Sequence, residues 1–204
     1  ISILTFDGKL SVNAGEFIYT WLPGLGEKPF SALTDDPFSL VVIDVGIFTH
    51  ELLKLQPGAQ VLVRGTYGNA VQPGSDSTVM AVAGGTGLAA VYQIARDFAD
   101  GAQVFMGARS KDRLYFVDEC RDLATVHIAT DDGSEGYHGL VTEMLRDNLL
   151  SMSEKERDAL VFYNCGPAPM VKAADQVERE FVGEERIFSA IDYLTKCGVG
   201  ICGA

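Results

Sequence analysis

Several groups of residues have types and spacings suited to chemistry. The first is Gly84-Gly85-Thr86-Gly87, which follows the apolar run Val79 to Ala83 and precedes apolar residues at helical spacing from Leu88 to Phe98. A strand that feeds a helix through glycines leaves backbone N–H groups free at the positive end of the helix dipole, and a phosphate fits there. A tight strand-to-helix turn in any α/β protein has the same look. The second is Lys28-Pro29-Phe30-Ser31, a cation, a ring and a hydroxyl on one strand. The ring could pack on a flavin, Ser31 bond its edge and Lys28 face a pyrophosphate; an ordinary strand with one snorkelling lysine is the plainer reading. The third is Cys165, beside Gly166-Pro167 at the end of an apolar run. It could border a nicotinamide or be a small packing residue. The fourth is Cys197 and Cys202, separated by four residues that include Gly198 and Gly200. A third thiol at the next position would give C-x4-C-x2-C, the opening of a plant-type [2Fe–2S] loop. Two incidental cysteines or half a zinc site are the alternatives.

Further loops join these. Val45-Gly46-Ile47-Phe48-Thr49 opens a short helix whose N–H groups could meet another phosphate face, with Thr49 as a helix cap in the plainer reading. Gly65-Thr66-Tyr67-Gly68 ends a strand. Gly107-Ala108-Arg109 and Asp131-Asp132-Gly133 end two others. Arg109, Lys111 and Arg113 could accept a ribose phosphate, although solvated surface cations explain at least two of them as well, so NAD and NADP stay undivided.

The elements that must carry these residues fall into two grammars. Residues 1 to about 75 hold short β-rich runs at 1–6, 17–22, 40–45 and 60–64, separated by Pro-Gly and Gly-Asn turns and interrupted by a helix over 49–55, which predicts a small antiparallel barrel. Pro73, Gly74 and Ser75 mark a boundary. Beyond it, strands at 79–83, 102–107, 124–130 and 159–164 alternate with helices at 87–98, 112–121, 139–150 and 168–180, the pattern of a doubly wound parallel sheet. A last strand, 187–191, leads to the cysteine loop. Ligands of such sheets sit at the carboxyl ends of the strands, where all the glycine-rich loops fall. The expected domains are 1–75, 76–186 and 187–204.

Hydrophobic residues make up 47% of the 204, enough for a packed core, and the net charge of −12 argues against a nucleic-acid partner. No apolar run nears the roughly 20 residues that span a bilayer, and no signal peptide is evident, so a cytoplasmic, membrane-free protein with unpaired cysteines is expected.

Gly84 to Gly87 and Cys165-Gly166-Pro167-x-x-Met170 resemble the nucleotide motifs of ferredoxin-reductase-like flavoproteins. Lys28-Pro29-Phe30-Ser31 resembles their flavin motif R-x-Y/F-S, with lysine in place of arginine. Cys197-Gly198-Val199-Gly200-Ile201-Cys202-Gly203 resembles the cluster loop of the electron-transfer subunits of type B dihydroorotate dehydrogenases. The resemblance runs over nearly the whole chain. It implies an FAD-binding barrel, an NAD(P)-binding domain and a C-terminal [2Fe–2S] segment, with barrel strands ahead of Ile1 and two more cysteines beyond Ala204. It implies a partner: an FMN-containing catalytic subunit that oxidises dihydroorotate to orotate in pyrimidine biosynthesis, in a heterotetramer. Electrons would pass from FMN through the cluster to FAD and leave as hydride to NAD+. By position, Lys28, Pro29, Phe30, Ser31, Val45, Gly46, Thr49, Gly65, Thr66, Tyr67 and Gly68 would hold FAD. Gly84, Gly85, Thr86, Gly87, Arg109, Asp131, Asp132, Gly133, Gly166, Pro167 and Met170 would hold the nicotinamide nucleotide beside a catalytic Cys165. Cys197 and Cys202 would ligate iron. The shared motifs also suit an NAD(P)H-linked reductase subunit of a sulfide dehydrogenase, transhydrogenase or hydrogenase diaphorase. A non-redox nucleotide-binding regulatory module is the reading from another class.

Overall fold

The computed structural model describes residues 1–99, 101–190 and 196–202, and within that range the side chains of Thr86 and Leu88 are not described. The chain forms two compact units. The first is Ile1–Ala70 together with the C-terminal segment 196–202; the second runs over the residues between them.

The first unit is antiparallel. β1 (Ser2–Thr5), β5 (Phe38–Val42) and β4 (Ala32–Asp35) form one sheet. β3 (Gly26–Phe30), β2 (Glu16–Leu22) and β6 (Leu62–Gly68) form the other. The two inner faces share one core: Ile18 and Leu22 from β2 meet Ala32, Phe38, Leu40 and Val42, and Phe48 and Leu52 of the short helix α1 (Ile47–Leu53) close it. The sheets are barrel-like, as expected. The strand expected over 40–45 stops at Val42, because the chain turns so that the N–H groups of Val45 and Gly46 both donate to Thr49 Oγ1 (3.0 and 3.1 Å). A bulge at Phe17/Ile18 sets the register of β2 on β6, so Gly65 opposes Ile18 and Tyr67 opposes Phe17.

The second unit is a parallel sheet in the order β10-β9-β8-β7-β11-β12. β7 (Thr78–Gly84) lies at its centre, flanked by β8 (Gln103–Ala108) and β11 (Leu160–Cys165). β9 (Thr125–Thr130) and the two-residue β10 (Tyr137–His138) extend one side, and β12 (Ile187–Ala190) the other. Val79 to Ala83 are all buried, as a central strand covered on both faces requires. The covering helices are α2 (Leu88–Asp97), α3 (Val117–Arg121), α4 (Val141–Ser151) and α6 (Ala168–Glu178), with the single turn α5 (Glu154–Arg157) before β11. α4 buries Val141, Leu145 and Leu149, one residue per helical turn. The helix expected over 112–121 is split: Leu114 is extended and Phe116 takes a left-handed conformation (φ 59°), leaving a 3-10 turn at Lys111–Arg113 and α3 after it. Ile191 of the expected last strand, and Gly203 of the cysteine loop, lie outside the described residues.

One polar pair is sealed into this core. α6 buries Val171, Ala174 and Glu178 on the same face, and Asn164 Nδ2 of β11 donates to Glu178 Oε2 at 2.7 Å. Burial pushes the Glu178 carboxyl up to about 8, against the smaller opposing effect of the Asn164 bond. The folded state therefore holds the proton more tightly than the unfolded chain, and stability declines as pH rises from the ordinary carboxyl range through about 8. Glu178→Gln keeps the acceptor and cannot ionise. Urea unfolding should show the variant gaining on the native chain between pH 5 and pH 8, by on the order of 1 kcal/mol or more; parallel curves at both pH values would contradict this.

Candidate functional site

In the second unit the strand ends form one edge. Register pairs Ala83 with Cys165, Cys165 with Ala190, Gly84 with Gly107, and Ala108 with Thr130. The Gly84–Gly87 turn, Ala108-Arg109, the 131–133 loop and Cys165-Gly166-Pro167 are therefore brought to the same end of the sheet. This is also where the connections diverge, since β7 has a later strand on each side.

The glycines here have separate physical reasons. A Cβ on Gly87 would fall inside the Cys165 carbonyl and 2.8 Å from Gly166 N, so the start of α2 lies directly on the end of β11. A Cβ on Gly166 would reach 2.7 Å from Gly84 O, and one on Gly84 would lie 2.5 Å from Met170 Sδ. Gly87 and Gly166 thus interlock backbone with backbone, while Gly84 lies under the Met170 side chain. Gly85 differs: its φ is +56° and a Cβ there would meet nothing closer than Pro167 at 3.9 Å. Its backbone is exposed, and the open space over it is what a phosphate needs. The 3-10 turn Gly85–Gly87 runs straight into α2. Cys165 is half-buried at the strand end.

The 131–136 loop is organised from within. Asp132 Oδ1 accepts from Ser134 N (3.0 Å) and Ser134 Oγ (2.6 Å), bonds that hold its carboxyl below the usual range. Ser134 Oγ in turn receives Lys111 N at 2.8 Å, and Asp132 N donates to Arg109 O. Lys111 pairs with Glu135 (3.0 Å) and Arg113 with Asp112 (3.6 Å). Arg109 is exposed, with no ion pair among the described residues. Ser134, which ties Asp132 to Lys111, was not singled out from the sequence; the Asp-x-Ser spacing of a side-chain-bonded turn was its signal.

In the first unit, Lys28 is exposed on β3 and Phe30 is half-buried, its ring 6.3 Å from that of Phe48 on α1. Ser31 lies just past the strand rather than on it. Thr49 is in the first turn of α1, where it accepts from Val45 and Gly46 and donates to Gly46 O. Gly65 (φ +130°) and Gly68 (φ +90°) flank Thr66 and Tyr67 at the end of β6, where a Cβ on either would press on β2 or its approach.

Cys197 and Cys202 are close enough to interact. The N–H of Cys202, then the Cys202 thiol, then the N–H groups of Val199 and Ile201, draw the Cys197 thiol down to about 6. A thiol drawn down in this way beside a second thiol suits a metal ligand. The pair fits two ligand positions; among the described residues no cluster of three or more His, Cys, Asp or Glu side chains stands ready for a metal. Arg64 and Glu27 beside this loop were missed in the sequence, where an arginine closing the apolar run Val61-Leu62-Val63 was the available signal.

The barrel-like antiparallel unit and the parallel sheet of this order are those of the ferredoxin-reductase-like fold. Residues 81–176 match the family model for the oxidoreductase NAD-binding domain. The solved NADH-dependent reduced ferredoxin-NADP oxidoreductase is similar at 30% identity, with a TM-score of 0.77 over 95% of this chain and 71% of that one. A ferredoxin NADP+ reductase from Neisseria gonorrhoeae shares the fold at a TM-score of 0.70 and 16% identity, over 94% of this chain and 91% of the other. The dihydroorotate dehydrogenase B (NAD(+)) electron transfer subunit assigned to Methanocaldococcus jannaschii is 34% identical over 206 residues, covering 100% of this chain and 76% of its own length. The one assigned to Pyrococcus abyssi is 38% identical over 98% of this chain and 75% of its own. The chain belongs to the family of dihydroorotate dehydrogenase B electron transfer subunits. Among the described residues no helix is long and apolar enough to cross a membrane.

The contrast between the two glycines is testable. Gly87→Ala should destabilise the chain by about 1–3 kcal/mol through overpacking on Cys165. Gly85→Ala should cost only the left-handed strain, about 1–2 kcal/mol, with no shift of neighbours. Urea midpoints should rank them, with Gly87→Ala at least as low, and amide chemical shifts at Cys165 and Gly166 should move only in Gly87→Ala.

Proposed function

We propose that this chain carries electrons between NAD(H), FAD and a [2Fe–2S] centre, in service of dihydroorotate oxidation by an FMN-containing partner subunit, the two forming a heterotetramer in the cytoplasm. The observation that carries the nucleotide half is the exposed, left-handed Gly85 with open space above it, at the carboxyl edge of the parallel sheet and at the head of α2. Membership of the electron transfer subunit family supports the rest.

FAD, when bound, exchanges hydride with a nicotinamide and single electrons with an iron–sulfur centre. The chain's own residues bind and orient. The first unit is assigned as the flavin-binding domain, which also carries the C-terminal cysteine segment, and the second as the nucleotide-binding domain. Lys28 offers its cation to the pyrophosphate, and Phe30 with Pro29 and Ser31 lines the ring. Val45, Gly46 and Thr49 shape the start of α1, and Gly65 to Gly68 let backbone approach the flavin. Gly84 to Gly87 present N–H groups to the dinucleotide phosphates. Arg109 stands at the ribose end, and Asp131, Asp132 and Gly133 form its loop wall. Cys165, with Gly166, Pro167 and Met170 behind it, borders the nicotinamide and keeps water from it. Cys197 and Cys202 ligate iron as thiolates.

A visible spectrum and a dye-reduction assay test the reading. The purified protein should show flavin absorption in the blue and NADH-dependent dye reduction, and, where two further cysteines join Cys197 and Cys202 to complete a four-thiolate site, a red-brown shoulder from the iron–sulfur centre; with the dihydroorotate-oxidising partner, dihydroorotate should reduce NAD+. A colourless chain at full saturation with added FAD, inert to NADH, would overturn it. Replacing Gly85 with valine should abolish NADH turnover while flavin content stays at the native level, because the side chain fills the phosphate space. Undiminished turnover would remove Gly85 from the nucleotide site.

A further inference from the structure

The guanidinium of Arg64 occupies an unusual position in the first unit. Arg64 lies on β6 opposite Tyr19 of β2, and Glu27 lies on β3, on the other side of β2. Arg64 Nε donates to Glu27 Oε2 at 2.7 Å and Nη2 to Glu27 Oε1 at 2.5 Å, a bidentate pair that fixes the plane of the fork. The guanidinium carbon stands 3.9 Å above the centre of the Tyr19 ring and 5.1 Å from that of Tyr67. With its plane fixed, the fork turns its remaining donors to the C-terminal segment. Nη2 donates to Lys196 O and Nη1 to Cys197 O, both at 2.8 Å.

Those two carbonyls belong to the two peptide planes that flank the Cys197 Cα. Peptide planes are rigid, so holding both fixes φ and ψ of Cys197. Only rotation about its Cα–Cβ bond remains to place the sulfur. The next residue, Gly198, has φ +85° and lies flat on Tyr67: a Cβ there would be 2.9 Å from the ring. The loop from Val199 to Cys202 follows directly on this anchored start.

We infer that Arg64 is a positioning residue for Cys197: locked by Glu27 and floored by Tyr19 and Tyr67, it fixes the backbone on both sides of this cysteine and so places its sulfur for iron. The inference rests on the reading of Cys197 as an iron ligand for its purpose, but the clamp itself stands on the contacts above. A lysine cannot replace Arg64, because one ammonium cannot grip a carboxylate in two places and reach two carbonyls in a planar array.

Hydrogen exchange on the full chain with FAD present tests the clamp. In Arg64→Lys the amides of Val199, Ile201 and Cys202 should exchange about tenfold faster or more, the scale of one lost charge-assisted hydrogen bond, while β2 and β5 keep their protection. Glu27→Gln leaves the arginine in place over Tyr19 and weakens only its lock, so it should give a smaller rise in the same amides. It is the deciding variant if Arg64→Lys loses protection in the strands as well. The second readout is release of iron to a chelator, which should quicken in whichever variant loosens the loop. Unchanged exchange at those amides, or unchanged iron release from a loosened loop, would overturn the inference. Absence of iron from the native chain would instead remove Cys197 as a ligand, and the exchange result would then decide the clamp alone.

Discussion

Backbone lies on backbone where β7 and β11 end. Gly87 leaves no room for a methyl group against the Cys165 carbonyl, and Gly166 leaves none against Gly84. The first turn of α2 and the last residue of β11 are thereby brought together at the fork of the sheet, the place where α/β folds bind ligands. With larger residues α2 would stand off the sheet, and its N-terminal amides would no longer share an edge with Cys165. The exposed Gly85 has its value because its neighbours are packed so tightly: a rigid rim presents a free backbone.

Within each unit the structure separates polar residues that hold loops in shape from charged residues without an ion pair among the described residues. Asp132 is turned inward to Ser134, Lys111 is drawn to Glu135 of the neighbouring loop and Arg113 to Asp112 of its own. Thr49 likewise uses its hydroxyl on Val45 and Gly46. Arg109 and Lys28 are as exposed as Lys111 and Arg113 but have no ion pair among the described residues. The first group keeps loops in shape and the second offers charge, a division that residue type alone does not reveal.

The antiparallel unit relies on a different device. There a single half-buried arginine, stacked over a tyrosine ring and tied to a carboxylate, reaches segments far apart in the chain. Charge-assisted bonds of this geometry are directional, and so they suit the fixing of a short glycine-rich loop that has little apolar surface to bury.

Much of this was legible in the residue order. Alternating strands and helices from 79 to 180, the glycine turn at 84–87 and the cysteine spacing follow from short-range rules: periodicity, glycine conformation and residue spacing. Short elements were lost. β10 is two residues long and forms because Gly136 lets the chain cross close over the Ile128 carbonyl, and α5 went unnoticed despite its Ser153-x-x-Glu156 capping box. The strand expected over 40–45 ended early where Thr49 claimed the backbone amides of Val45 and Gly46. What no local pattern encodes is partnership across distance. Arg64 meets Cys197 over 133 positions, and Asn164 meets Glu178 across a strand and a helix. Such pairs come into being when the sheets close, because a hydrogen bond depends on where its two ends are carried by packing rather than on the residues beside them in the chain.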